Sequence, residues 1–133
     1  AQLEQVDDFL KKRMELKKEY DNTIDFNYKL LEPTKNIYGK NVEWVYCLNF
    51  KKEFVDLRDD LIYKLNKKGI ETRPFFYPLH IMNPYLKYIN KNTTYDNSER
   101  FGLTGINLPL YPSLEIKDVQ YISEVVNNIL LVD

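Results

Sequence analysis

The sequence predicts a small α+β domain, an α/β sandwich in which a short sheet carries helices on one face. Three observations carry that reading. The chain has 133 residues, enough for one hydrophobic core and one domain, residues 1–133. Its periodicities run helix, strand, helix, strand, loop, short helix, strand, helix, so the strands are few and the connections between them long. Its composition, 44% hydrophobic and 29% charged, is that of a globular chain rather than a disordered one.

The first helix is predicted by Leu3, Val6, Phe9, Leu10, Arg13, Leu16 and Tyr20, which fall at three- and four-residue steps along one face. Glu4, Lys11, Lys12, Glu15, Lys18 and Glu19 form the solvated face. The pattern is running by Leu3 with no initiator Met, which fits either an ordinary processed N-terminus or a chain that begins inside a longer protein. Residues 21–35 are mixed, and Pro33 limits any helix there.

VEWVYCLNF, 42–50, reads as a strand. Val42, Trp44, Tyr46, Leu48 and Phe50 alternate with Glu43, Val45, Cys47 and Asn49, and one set should meet the core. A second helix follows, with Asp56 as its expected N-cap and Leu57, Leu61, Ile62 and Leu65 on its buried face. Acidic Asp59 and Asp60 stand early and Lys64, Lys67 and Lys68 late, which suits the helix dipole. Gly69 supplies the stop.

Ile70 to Arg73 should form a short strand halted by Pro74. The stretch that follows is an ordered loop with a helical turn near Tyr85 to Ile89, and Lys91 to Asn97 is polar and exposed. Asp96 or Ser98 is expected to cap a short helix ending near Gly102 or Gly105. Ile106 to Leu108 forms the last strand. Ser113 is expected to cap a final helix whose core face is Val119, Ile122, Val126 and Ile129.

Composition excludes several functions. Formal net charge is -1 and no basic stripe appears, which argues against nucleic acid as a partner. No apolar run reaches the roughly 18 to 20 residues that span a bilayer. The lone Cys47 has no partner for a disulfide within the chain and suits a reducing, cytoplasmic setting. One His and one Cys without ligand spacing argue against a metal site. The chain has neither a phosphate-binding glycine motif nor a local signature for a nucleophile.

GIETRPFFYPLH, 69–80, is the unusual segment. It combines a cation, four aromatic or imidazole rings and two prolines, directly after a strand, and prolines hold such a loop in shape at little ordering cost. Arg73 could fork onto a phosphate or carboxylate. Phe75, Phe76 and Tyr77 could wall a pocket, and His80 could donate a hydrogen bond or exchange a proton near neutral pH. The same residues also fit a plain structural role: aromatics closing a strand end, a surface arginine, and a histidine satisfied by a backbone carbonyl.

GIETRPFFYPLHIMNPY, 69–85, resembles a segment of the DegT-type sugar-nucleotide aminotransferases, most of all their GDP-perosamine synthase branch. AQLEQVDDFLKKRMELKKEYD is similar to the helix that follows the cofactor-bearing lysine segment in that family. VEWVYCLNF, RDDLIYKLNKKGIETR and NLPLYPSLEIKDVQYISEVVNNIL match its later blocks in the same order. Asn83 departs from it, standing where relatives often have proline.

The resemblance implies the C-terminal small domain of a pyridoxal-phosphate-dependent transferase of fold type I, with a small, mostly antiparallel sheet. It implies a homodimer that transfers an amino group from glutamate to a 4-keto sugar on a nucleoside diphosphate. It also implies that His80, Tyr77 and Phe76 lie at or near the sugar cleft with Arg73 close by. The Schiff-base lysine, the acid pairing with the pyridinium nitrogen and the phosphate cradle would lie upstream of Ala1, so no catalytic or cofactor-binding residue is expected here. The other reading is a stand-alone α+β binding or regulatory domain without catalysis.

Overall fold

A computed structural model describes residues 2–25, 30–32, 39, 41–90 and 92–131. A 3-10 turn, Gln2–Gln5, leads into helix α1, Val6–Thr23. Leu16 and Tyr20 at the C-terminal end of its apolar stripe are fully buried, whereas Leu3 and Val6 at the other end are exposed. Tyr20 anchors the helix: its ring stacks on Tyr46 at 4.5 Å and its hydroxyl donates to the Pro109 carbonyl at 2.9 Å.

Among the described residues four strands follow the order β1-β2-β4-β3, every pair antiparallel. Strand β1, Leu31–Glu32, lies in the stretch whose sequence pattern is mixed. Strand β2, Tyr46–Phe50, is shorter than the alternation over 42–50 predicts. Glu43 has a left-handed φ of 44°, which breaks the extended backbone and leaves Val42 and Trp44 exposed instead of on the core. Within the strand Leu48 and Phe50 are buried in the core with the helices, and Asn49 between them is buried as well.

Helix α2, Val55–Lys67, starts one residue before the expected cap. A 3-10 turn over Lys52–Phe54 feeds it directly, so Asp56 sits in the first turn, complementing the dipole rather than capping. At its other end Gly69 takes φ 77°, and the Gly69 and Ile70 N–H groups close onto the Asn66 and Leu65 carbonyls, both at 3.0 Å, in a Schellman stop.

Strand β3 is Arg73–Pro74 rather than 70–73. A proline is tolerated there because β3 is an edge strand, with a neighbour on one side only. Ile70 and Thr72 are nonetheless buried. Two 3-10 turns, Leu79–Ile81 and Asn83–Tyr88, follow.

Helix α3, Asp96–Thr104, has no side-chain cap, so neither Asp96 nor Ser98 plays the expected part. It runs straight into strand β4, Gly105–Leu108. Helix α4, Ile116–Leu130, is capped by Glu115, not Ser113; Glu115 and Asp118 form a reciprocal capping box. Its buried face is Val119, Ile122, Val126 and Leu130, with Ile129 partly covered.

The strand register separates two faces. Tyr46 pairs with Leu108 and Leu48 with Ile106, which puts these residues in one core with α1, α2 and α4. Cys47 opposite Asn107 and Asn49 opposite Gly105 point the other way, and Arg73 stands beside Asn107 in the same row. This is the expected sandwich, with helices on the apolar face. Side chains tie α1 to α4: the Thr23 and Ser123 hydroxyls bond at 2.8 Å, and the Asn127 amide donates to the Thr23 carbonyl at 2.8 Å. No helix among the described residues is long and apolar enough to cross a membrane.

Candidate functional site

The aromatic loop is seated on two glycines. A Cβ at Gly105 would stand 2.6 Å from the Phe75 Cβ, and one at Gly102 would stand 2.9 Å from the Pro78 Cδ. Only hydrogen at these positions lets α3 and β4 approach the loop so closely. The Phe75 N–H also donates to the Gly105 carbonyl at 2.9 Å. Held at Phe75 and Pro78, the loop turns Phe76 and Tyr77 outward, 56% and 65% exposed. Phe76 stacks on Trp44 with centroids 5.7 Å apart and planes 16° from parallel, and meets Phe75 edge-on.

His80 lies against α3. Its ring stacks on Tyr95 at 4.4 Å and its Nε2 lies 2.8 Å from Glu99 Oε1, an arrangement in which the imidazole N–H donates to the carboxylate. The side chain is only 10% exposed. Its partners are thus a ring and a carboxylate, not the backbone carbonyl of the plain structural alternative. Arg73 is 76% exposed and pairs with Glu71.

Part of the polar row of the sheet is internally bonded, whereas the buried Asn49 Oδ1 has no partner among the described residues. The Cys47 thiol lies 3.0 Å from Asn107 Oδ1, and the Asn107 amide reaches the Pro74 carbonyl at 3.4 Å, linking β2, β4 and β3. Burial, followed by the charge of Glu43, pushes the thiol up to about 11, so Cys47 is a neutral packing residue at physiological pH rather than a nucleophile.

Beside this row, a cavity of about 660 Å³ opens between α1, α4, the end of β4 and the 69–73 segment. Arg13, Trp44, Arg73, Asn107, Tyr111 and Asp118 are among the residues that line it. Of the four residues singled out from the sequence, only Arg73 lines this cavity. Phe76 touches its rim through Trp44, and His80 and Tyr77 lie outside it. Arg13 and Asn107 were not picked out from the sequence. Arg13 had a signal, a cation on the apolar stripe of α1; Asn107 had none, because its place beside Arg73 depends on a long-range pairing. Among the described residues no group of His, Cys, Asp or Glu could hold a metal.

A sequence profile of the DegT/DnrJ/EryC1/StrS aminotransferase family matches residues 1–127. The chain is similar to GDP-perosamine synthase of Escherichia coli O157:H7, 35% identical over 127 residues, covering 96% of this chain and 33% of that protein. It is also similar to GDP-perosamine synthase of Caulobacter vibrioides, 30% identical over 132 residues, covering 98% of this chain and 35% of that one. Among solved structures it resembles Helicobacter pylori PseC, an aminotransferase involved in the biosynthesis of pseudoaminic acid. The TM-score is 0.80 at 23% identity, over 96% of this chain and 34% of that one. It resembles DesV of S. venezuelae in complex with a ketimine intermediate with a TM-score of 0.81 at 21% identity, over 98% and 34% of the two chains. The chain spans about a third of the length of the curated relatives it matches.

Proposed function

Because the chain belongs to the DegT/DnrJ/EryC1/StrS aminotransferase family, we propose that it is the C-terminal small domain of a longer enzyme that aminates a sugar nucleotide. The whole enzyme transfers an amino group from glutamate to a 4-keto sugar on a nucleoside diphosphate, as a cytoplasmic homodimer. The observation that carries this reading is the match over nearly the whole chain, at 30–35% identity to two GDP-perosamine synthases.

The cofactor of such an enzyme is pyridoxal phosphate, which supplies an electron sink through a Schiff base with a lysine. The described residues do not fit that group. No lysine among them is buried, and none lines the cavity. On this reading no chemical step is assigned to the chain, and the lysine belongs to the part of the enzyme that the chain does not span.

The chain's own part is to bind and orient. Phe76 and Tyr77 offer exposed ring faces against which the apolar C–H face of a sugar packs. His80, with one ring nitrogen engaged by Glu99, keeps Nδ1 as an acceptor for a sugar hydroxyl when the ring is neutral. Arg73 is exposed and can exchange its contact with Glu71 for a diphosphate oxygen.

Two measurements test the reading. The 133-residue chain is mixed with pyridoxal phosphate, reduced with borohydride and weighed intact; no lysine adduct and no amino transfer from glutamate are expected. The protein encoded with its upstream two thirds should convert a GDP-linked 4-keto sugar to the amino sugar, read by mass spectrometry. A reducible adduct on the short chain, or an upstream frame too short for a cofactor domain, overturns the proposal.

A further inference from the structure

We propose that the cavity between α1, α4 and the end of β4 is an oxyanion pocket, in which Arg13 takes a phosphate or carboxylate group with Arg73 and Asn107 at its side. The inference stands on this cavity alone and does not depend on the amino-transfer reading. Arg13 occupies the apolar stripe of α1, between the half-buried Leu10 and the buried Leu16. A guanidinium is charged throughout the accessible pH range and carries five donors. Its Nε is buried and has no hydrogen-bond partner among the described residues. Nε itself is enclosed, so an acceptor in the cavity would meet the rest of the guanidinium fork, whose residue lines it.

Two carboxylates also line the cavity. Glu71 is paired with Arg73, and the Asp118 carboxylate accepts from the Glu115 N–H at 3.1 Å within the capping box of α4. The volume, about 660 Å³, falls within the roughly 300–1,000 Å³ typical of small-molecule sites. Trp44, Tyr111 and Tyr121 add aromatic walls, so the preferred ligand pairs an oxyanion with a flat or apolar body. Phosphate and carboxylate present the same paired oxygens to a guanidinium fork, and the test separates them.

Trp44 is the only tryptophan in the chain and lines the cavity, so its fluorescence reports directly on occupancy. The 133-residue chain is titrated with sodium pyrophosphate and, separately, sodium succinate, at ionic strength held constant with sodium chloride. A saturable change with at least one is expected, and the tighter of the two identifies the source. Arg13→Gln should weaken that binding at least tenfold. Arg13→Lys, which keeps the charge and loses the fork, should weaken it less, and so should Arg73→Gln, whose cation is already paired. Circular dichroism confirms that each variant is folded; if Arg13→Gln is not, the Arg13→Lys and Arg73→Gln titrations decide alone. No saturable response to either anion, or an affinity unmoved by the Arg13 substitutions, overturns the proposal.

Discussion

Replacing Gly105 with alanine tests the close seating of the aromatic loop on the sheet. The added Cβ would lie 2.6 Å from the Phe75 Cβ, 2.8 Å from the Phe101 carbonyl oxygen and 3.0 Å from Asn49 Oδ1. Carbon atoms in packed interiors sit about 3.5–4.0 Å apart, so the first overlap approaches 1 Å. Two of the three obstacles are a backbone oxygen and a Cβ, neither of which can rotate away. Overpacking of this kind costs about 1–3 kcal/mol. For a domain of this size that corresponds to a fall in Tm of roughly 4–11 °C. Relief comes by lifting Phe75, which drags Phe76 off Trp44, so tryptophan fluorescence should change along with the melt. Gly69→Ala is the control. It has φ 77° and no atom within 4 Å, so its cost of about 1–2 kcal/mol is backbone strain, and it should leave the Trp44 signal alone. If Gly105→Ala melts within about 1 °C of the parent with unchanged fluorescence, the reasoning about the seat fails.

Tyr20→Phe leaves the Pro109 carbonyl without its donor and should lose about 0.5–1.5 kcal/mol in a denaturant melt, with the stacked ring retained. Because burial holds the Cys47 thiol at about 11, against an ordinary 9.0, the folded chain keeps a proton that the unfolded chain releases. Stability should therefore fall as pH rises through the window from about 9 to about 11, more steeply in the parent than in Cys47→Ala. At pH 9 iodoacetamide should also label the native thiol far more slowly than the denatured one; equal rates would refute the burial argument. Phe76→Ala removes a half-exposed ring stacked on Trp44 and should cost about 0.5–1.5 kcal/mol of stability. In the complete enzyme the same change should raise KM for the sugar nucleotide; an unchanged KM would take Phe76 out of the site.

Local signals were the legible part of the fold. Gly69 announces its helix stop because positive φ is a property of a single residue, and Leu61, Leu65, Val119 and Val126 reveal their faces because helical period is written within a few residues. Strand β2 was legible only in part: the alternation from Val42 to Phe50 is unbroken, and nothing in the letters marks Glu43 as the left-handed residue that ends it. Caps were misplaced at Asp56, Asp96 and Ser113 for a common reason. Residue type marks eligibility for a cap, whereas 3-10 lead-ins and the Glu115–Asp118 reciprocity decide which residue serves. The loop at 69–80 stood out by composition alone. The neighbours of His80 did not, since Tyr95 and Glu99 reach it only once α3 folds back over the loop.

Pinning the loop at Phe75 and Pro78 divides the labour between adjacent residues. The ends answer to the scaffold, because Gly105 and Gly102 accept only what fits beneath them. Phe76 and Tyr77, suspended between the pins and facing outward, answer to whatever lies opposite. Changes at the two middle positions can therefore alter the exposed surface while the pinned ends, and with them the shape of the segment, stay fixed.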